Sequence, residues 1–143
     1  MRGVILAGGK GTRLAPLTSA TNKHLLPVGK EPMIYHAIKQ LVSAGMKEIL
    51  VVTSTDHMGD IVSTLGSGSE FGCDLTYKVQ NEAGGVAHAL ACAETFAKGH
   101  RICVILGDNI FEQSIRGYAE SFSKQPQGAR VVLKEVSDAT QFG

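Results

Sequence analysis

Apolar residues in the 143-residue chain gather into short continuous runs that alternate with stretches where they recur every three or four positions. The first run, Val4-Ile5-Leu6-Ala7, is short, partly β-branched and followed at once by glycines, the pattern of a buried strand emptying into a loop. A polar loop extends to about Pro27. Ile34, Ile38, Leu41 and Val42 then keep helical spacing, with Pro32 suited to a first turn and Gly45 to a stop. Residues 48–53, containing Ile49-Leu50-Val51-Val52, predict a second strand, and Met58, Ile61, Val62 and Leu65 predict a helix closed by Gly66 and Gly68. A third strand is expected over residues 73–79. One helix carrying Val86, Ala89, Leu90, Ala93 and Phe96 should open directly after Gly84-Gly85. Ile102-Cys103-Val104-Ile105-Leu106 is the most apolar strand pattern in the chain. It precedes a helix aligning Ile115, Tyr118, Ala119 and Phe122 and a last strand over residues 129–136.

Strands apolar on both faces and separated by helices demand a parallel sheet covered on each side, because a parallel connection needs a crossover long enough for a helix. The expected fold is therefore α/β, a Rossmann-like three-layer α/β/α sandwich with a mostly parallel sheet, forming a single nucleotide-binding domain over residues 1–143. Composition narrows the partners. A net charge of +1 and a charged share of 19% give no bulk attraction to nucleic acid or to an anionic membrane. The start turns glycine-rich without a signal-peptide run, and no stretch approaches the ~20 apolar residues of a membrane span, so a cytoplasmic location is expected. Cys73, Cys92 and Cys103 form no CxxC pair and read as reduced core residues; the five histidines lack a spacing that pairs two on one helical face.

In an open parallel sheet, ligands gather beyond the carboxyl ends of the strands. The first strand ends in Gly8-Gly9-Lys10-Gly11-Thr12-Arg13-Leu14. Glycines there let successive backbone N–H groups form an anion nest; Arg13 adds a planar fork for two phosphate oxygens, and Lys23 a point charge. Together they suit a triphosphate, although a glycine-rich turn with solvated basic residues has the same composition. Leu14 stands where a dinucleotide fingerprint needs its third glycine, and the Walker pattern is absent. The third strand ends at Gln80, whose amide can both donate to and accept from a nucleobase edge, with Gly85 letting the base lie against backbone. A polar loop residue and a helix-opening glycine are the plainer reading. The fourth strand runs into Gly107-Asp108, where the carboxylate suits Mg²⁺ or, alternatively, caps the next helix.

Taken together, Gly3-Val-Ile-Leu-Ala-Gly-Gly-Lys-Gly-Thr-Arg-Leu14, Lys23-His-Leu-Leu-Pro27, Pro32-Met-Ile-Tyr35, Tyr77-Lys-Val-Gln80 and Leu106-Gly-Asp-Asn-Ile-Phe111 resemble the sugar-1-phosphate nucleotidyltransferases, most closely the glucose-1-phosphate thymidylyltransferases. The resemblance spans the whole chain. It implies that Leu6, Gly8, Gly9, Gly11, Thr12, Arg13, Lys23, Gln80, Gly85 and Asp108 bind the nucleotide, with Arg13, Lys23 and Asp108 catalytic, Asp108 holding Mg²⁺, and Gly143 near the sugar. The implied reaction joins dTTP and glucose 1-phosphate to give dTDP-glucose and pyrophosphate, in an enzyme that commonly forms dimers or tetramers. His24 departs from the Gln that many thymidylyltransferases carry beside the lysine. The family also continues well past residue 143, and its later half supplies a second metal carboxylate, a lysine for the sugar phosphate and most sugar contacts. Three other readings stand beside this one: a nucleotide-binding module without the complete catalytic apparatus, a nucleotidyltransferase using UTP or another nucleotide, and an NAD-linked dehydrogenase with Asp56 as its ribose acid.

Overall fold

The structure, a computed structural model, describes residues 1–9, 11, 14–19, 21–82, 84–138 and 140. Four parallel strands form the main sheet: β1 (Arg2–Ala7), β4 (Glu48–Ser54), β5 (Asp74–Gln80) and β6 (Ile102–Leu106), in the spatial order β5-β4-β1-β6. Two short antiparallel strands, β2 (Pro27–Val28) and β3 (Glu31–Pro32), make a separate hairpin. The helices are α1 (Met33–Ser43), α2 (Met58–Leu65), α3 (Gly85–Ala91), α4 (Glu94–Ala97) and α5 (Arg116–Ser123).

Period-two alternation in β1 and β4 divides the core in two. Ile5, Ala7, Ile49 and Val51 face one layer, with Ile34, Ile38 and Leu41 of α1, Ile61 and Leu65 of α2, and Ile115 just before α5. Val4, Leu6, Leu50 and Val52 face the other, with Ala89 of α3 and Ala93. The three-layer sandwich expected from the sequence follows. The connections follow too: the chain builds outward through β4 and β5 with α1 and α2 on one face, then crosses back over the sheet to β6 with α3 on the other. Helix α1 buries Ile34, Ala37, Ile38 and Leu41 on one stripe. It lies so close to β1 that a Cβ on Gly3 would come within 2.8 Å of Leu41 Cδ1. A Schellman turn closes it: Gly45, at φ +87°, donates to Val42 O at 2.9 Å, and the Met46 amide reaches Leu41 O at 3.1 Å.

Several expectations need correction. The single helix after Gly84-Gly85 is two, α3 and α4, because the Ala93 amide turns to the carbonyl three residues back, Leu90 O at 2.9 Å, and the bend sets Ala93 against the sheet. Strand β5 begins one residue later than predicted and is covered on one side only: Leu75 and Tyr77 face the α1–α2 layer, while Asp74, Thr76 and Lys78 are exposed. As an edge strand it needs one apolar face. Residues 129–136 form no strand; Val131 is 74% and Leu133 85% exposed, because the segment pairs with no neighbouring ladder. Val104, in the strand expected to be most buried, is 38% exposed at the opposite sheet edge. All three thiols are free, with Cys73 buried and Cys92 and Cys103 half-buried. Among the described residues no helix is long and apolar enough to cross a membrane.

Truncating Ile38 to Ala is expected to cost about 2–5 kcal/mol of unfolding free energy in urea. Val131→Ser should change it by less than about 0.5 kcal/mol. A loss for Val131→Ser as large as that for Ile38→Ala would mean that the 129–136 segment is packed in solution.

Candidate functional site

Strand order 5-4-1-6 reverses direction at β1, so the carboxyl ends of β1 and β6 open a crevice where neighbouring loops part to opposite sides. Gly8 and Gly9 leave β1 there, Asp108 follows β6, and the 3₁₀ turn Lys23–Leu25 closes beneath. Gln80, at the end of β5, reaches in from the far side. The result is an open cleft of about 290 Å³.

Charge is concentrated at one end. Lys23 Nζ donates to Asp108 Oδ2, both side chains being only partly exposed. Burial opposes ionisation of Asp108, but the hydrogen bond and the charge of Lys23 outweigh it and hold its carboxyl below the usual carboxylate range. The lysine is set by its neighbours. Asn22 caps the 3₁₀ turn, its Oδ1 accepting the His24 backbone N–H at 2.8 Å and lying 2.6 Å from His24 Nδ1. An oxygen that already accepts from the backbone fixes the imidazole proton on Nδ1. His24 is only 2% exposed, and its pKa falls to about 4, through burial first and then the Lys23 charge, with Asp108 pulling the other way and His57 adding a small further drop. Its ring packs against the tip of β6 so tightly that a Cβ on Gly107 would meet Cδ2 at 2.7 Å. Gly11, at φ +62°, brings the glycine loop against Lys23, where a Cβ would lie 3.0 Å from Lys23 Cβ and 2.9 Å from Thr18 Cγ2.

The other end is apolar with one amide in it. Leu6, Val86, Ala89 and Leu106 form the wall, and Gln80, 6% exposed, turns its carboxamide oxygen over Gly8, where a Cβ would come within 2.7 Å of it. Gln80 Nε2 donates to Gly85 O at 3.4 Å. A flat heterocycle could lie on this wall with its edge at the amide, while its anionic tail meets Lys23 and the loop N–H groups.

Of the residues predicted from sequence, Leu6, Gly8, Gly9, Lys23, Gln80, Gly85 and Asp108 line this one cleft, and Gly11 stands behind Lys23. Thr12, Arg13 and Gly143 lie outside the described residues. Asp56, the ribose acid of the dehydrogenase reading, is exposed in the turn after β4 and does not line the cleft. Sequence reasoning missed His24, Val86, Ala89 and Leu106 as lining residues. For Val86 the signal was available, since it follows the Gly84-Gly85 pair at a strand end; for His24 only the fold reveals the burial.

Residues 2–143 match the family model described as nucleotidyl transferase. A glucose-1-phosphate thymidylyltransferase of Neisseria meningitidis is 41% identical over 100% of this chain and 50% of its own length. The Mycolicibacterium smegmatis protein of the same name is 44% identical, again over 100% of this chain and 50% of the relative. The crystal structure of a Bacillus anthracis protein provisionally assigned as a glucose-1-phosphate thymidylyltransferase superposes with a TM-score of 0.88 at 55% identity, covering 90% of this chain and 52% of that one. The chain thus spans about half the length of the relatives it matches.

His24 gives the site a measurable pH signature. Unfolded, it titrates near 6.5; folded, at about 4. Between those values the unfolded chain binds a proton that the folded chain does not, so its contribution is complete above the unfolded pKa and declines as pH falls through the window. Urea unfolding in chelator-containing buffer should lose about 3 kcal/mol between neutral pH and the bottom of that window. His24→Gln should abolish most of that loss; an unchanged pH slope in the variant would assign it elsewhere.

Proposed function

Because this chain belongs to the nucleotidyl transferase family, we propose that it is the nucleotide-holding half of an enzyme that transfers thymidylate from dTTP to glucose 1-phosphate, giving dTDP-glucose and pyrophosphate. The observation carrying this reading is the two-ended cleft: the Lys23–Asp108 pair and glycine loop at one end, Gln80 over an apolar wall at the other. Residues 1–143 act in it as one nucleotide-binding unit. The base lies against Leu6, Val86 and Gly85, and Gln80 Oε1 accepts from the ring N3–H, a donor that thymine and uracil share. Gly8, Gly9 and Gly11, with Thr12 and Arg13 in the same sequence stretch, hold the triphosphate, and Gly143 takes part in binding the sugar. Three free thiols suit a reducing cytoplasm.

In the reaction, an oxygen of the sugar phosphate attacks the α-phosphorus; the new P–O bond forms as the bond to the bridging oxygen breaks, and its electrons leave with pyrophosphate. The protein's work is positioning and neutralisation of charge, which Lys23 supplies next to the phosphates and Arg13 from the loop. Asp108 would hold Mg²⁺. It is a hard oxygen donor, partly exposed at the charged end of the cleft, and so suits an ion that takes one carboxylate together with phosphate oxygens and water. When bound, Mg²⁺ supplies further neutralisation of phosphate charge.

A second reading is a nucleotide-binding module that holds dTTP without transferring it, favoured by the single cleft carboxylate among the described residues. Pyrophosphate release from dTTP and glucose 1-phosphate separates the two: binding without turnover supports the module. In an active protein, Lys23→Ala and Asp108→Asn should each lower turnover by about 100-fold or more while leaving the circular dichroism spectrum intact. Wild-type turnover in either variant would remove that residue from the mechanism.

A further inference from the structure

His88 is exposed on α3 and does not line the cleft, yet its Nδ1 lies 3.3 Å from Gln80 Nε2. The ring is seated there by the backbone. It folds back over Gly84, where a Cβ would meet Nδ1 at 2.3 Å, Cγ at 2.7 Å and Cβ at 2.8 Å. Gly84 has an ordinary φ of −83°, so glycine is required for the room it leaves to His88 and not for its conformation.

We propose that His88 is a positioning residue that fixes which face of the Gln80 carboxamide meets the base, and so decides which pyrimidines the cleft accepts. The inference rests on the base-binding reading above and extends it. Gly85 O can only accept a hydrogen bond, and it lies 3.4 Å from Gln80 Nε2. His88 Nδ1 accepts as well when the neutral ring carries its proton on Nε2. Both amide hydrogens are thereby directed away from the ligand, and Oε1 is left over Gly8; among the described residues none donates to it. Turning the amide over would set Oε1 against Gly85 O and would require the His88 ring to move its proton from Nε2 to Nδ1. One acceptor at 3.4 Å holds the orientation weakly, and the second strengthens it while the ring keeps its proton on Nε2.

An oxygen fixed in this way accepts from the N3–H of thymine or uracil and opposes the N3 lone pair of cytosine. Discrimination here is built from a repulsion as much as from a bond. Without the imidazole the amide can rotate, offering N–H₂ to cytosine.

The test is the ratio of dissociation constants for dTTP and CTP, with UTP as a second imide base, measured by calorimetry on the full chain. The wild type should favour dTTP by about tenfold or more. His88→Leu should shrink that ratio by about threefold or more, mainly by tightening CTP. His88→Asn, whose Oδ1 takes the place of Nδ1, should retain it, and His88→Ala gives the same readout as Leu with a smaller side chain. A purely structural role would weaken all three nucleotides together. A wild-type preference that survives both His88→Leu and His88→Ala, or is lost equally in His88→Asn, overturns the role of His88 alone. A wild-type ratio near one, or a ratio unmoved by Gln80→Ala, overturns the base-binding reading and this inference with it.

Discussion

A neutral imidazole sealed beneath the tip of β6 ties the two halves of the cleft's charged end together. His24 belongs to the loop leaving β1, and Gly107 to the turn leaving β6, yet ring and backbone touch with no room for a Cβ between them. Asn22 holds the ring from below through one oxygen that serves both backbone and side chain. Lys23 and Asp108 are the residues next to this junction in sequence, so their meeting follows from it. As a stability device the ion pair itself counts for little, since partial burial strips water from both partners and offsets most of their attraction. The buried histidine costs far more to disturb, and it determines where the lysine stands.

What was legible in the sequence is what is decided locally. Runs such as Ile49-Leu50-Val51-Val52 are buried on both faces because β1 and β4 occupy the middle of the sheet, and the α1 stripe is continuous. The position of a strand within the sheet is a tertiary fact. The pattern over Ile102 to Leu106 is apolar throughout, but its place at the edge leaves Val104 exposed, and the β-branched run near Val131 finds no partner. The same holds for glycines. Gly11 and Gly45 are needed for positive φ, which a turn pattern announces. Gly107 is needed because of a histidine more than eighty positions earlier in the chain, and no local pattern announces that.

The sheet also separates what holds the protein together from what it works with. Core side chains sit along the strands, on both faces, while the cleft is built from the last residues of the strands and the one or two positions past them, from the Lys23–His24 turn and from the start of α3. Leu6 and Ala89 are the exceptions, belonging at once to the second core layer and to the cleft wall. Through them the apolar wall of the cleft is continuous with the packing that fixes α3.

Lys23 and Asp108 neutralise each other across the charged end of the cleft. A bare anion drawn to Lys23 would strand the carboxylate, and a bare cation drawn to Asp108 would strand the amine, each at a half-buried position where an unpartnered charge is costly. An anion arriving together with its own counter-cation lets both partners separate at once, each to a new opposite charge. For the proposed nucleotide, the pair therefore favours cargo that arrives already neutralised over a bare anion.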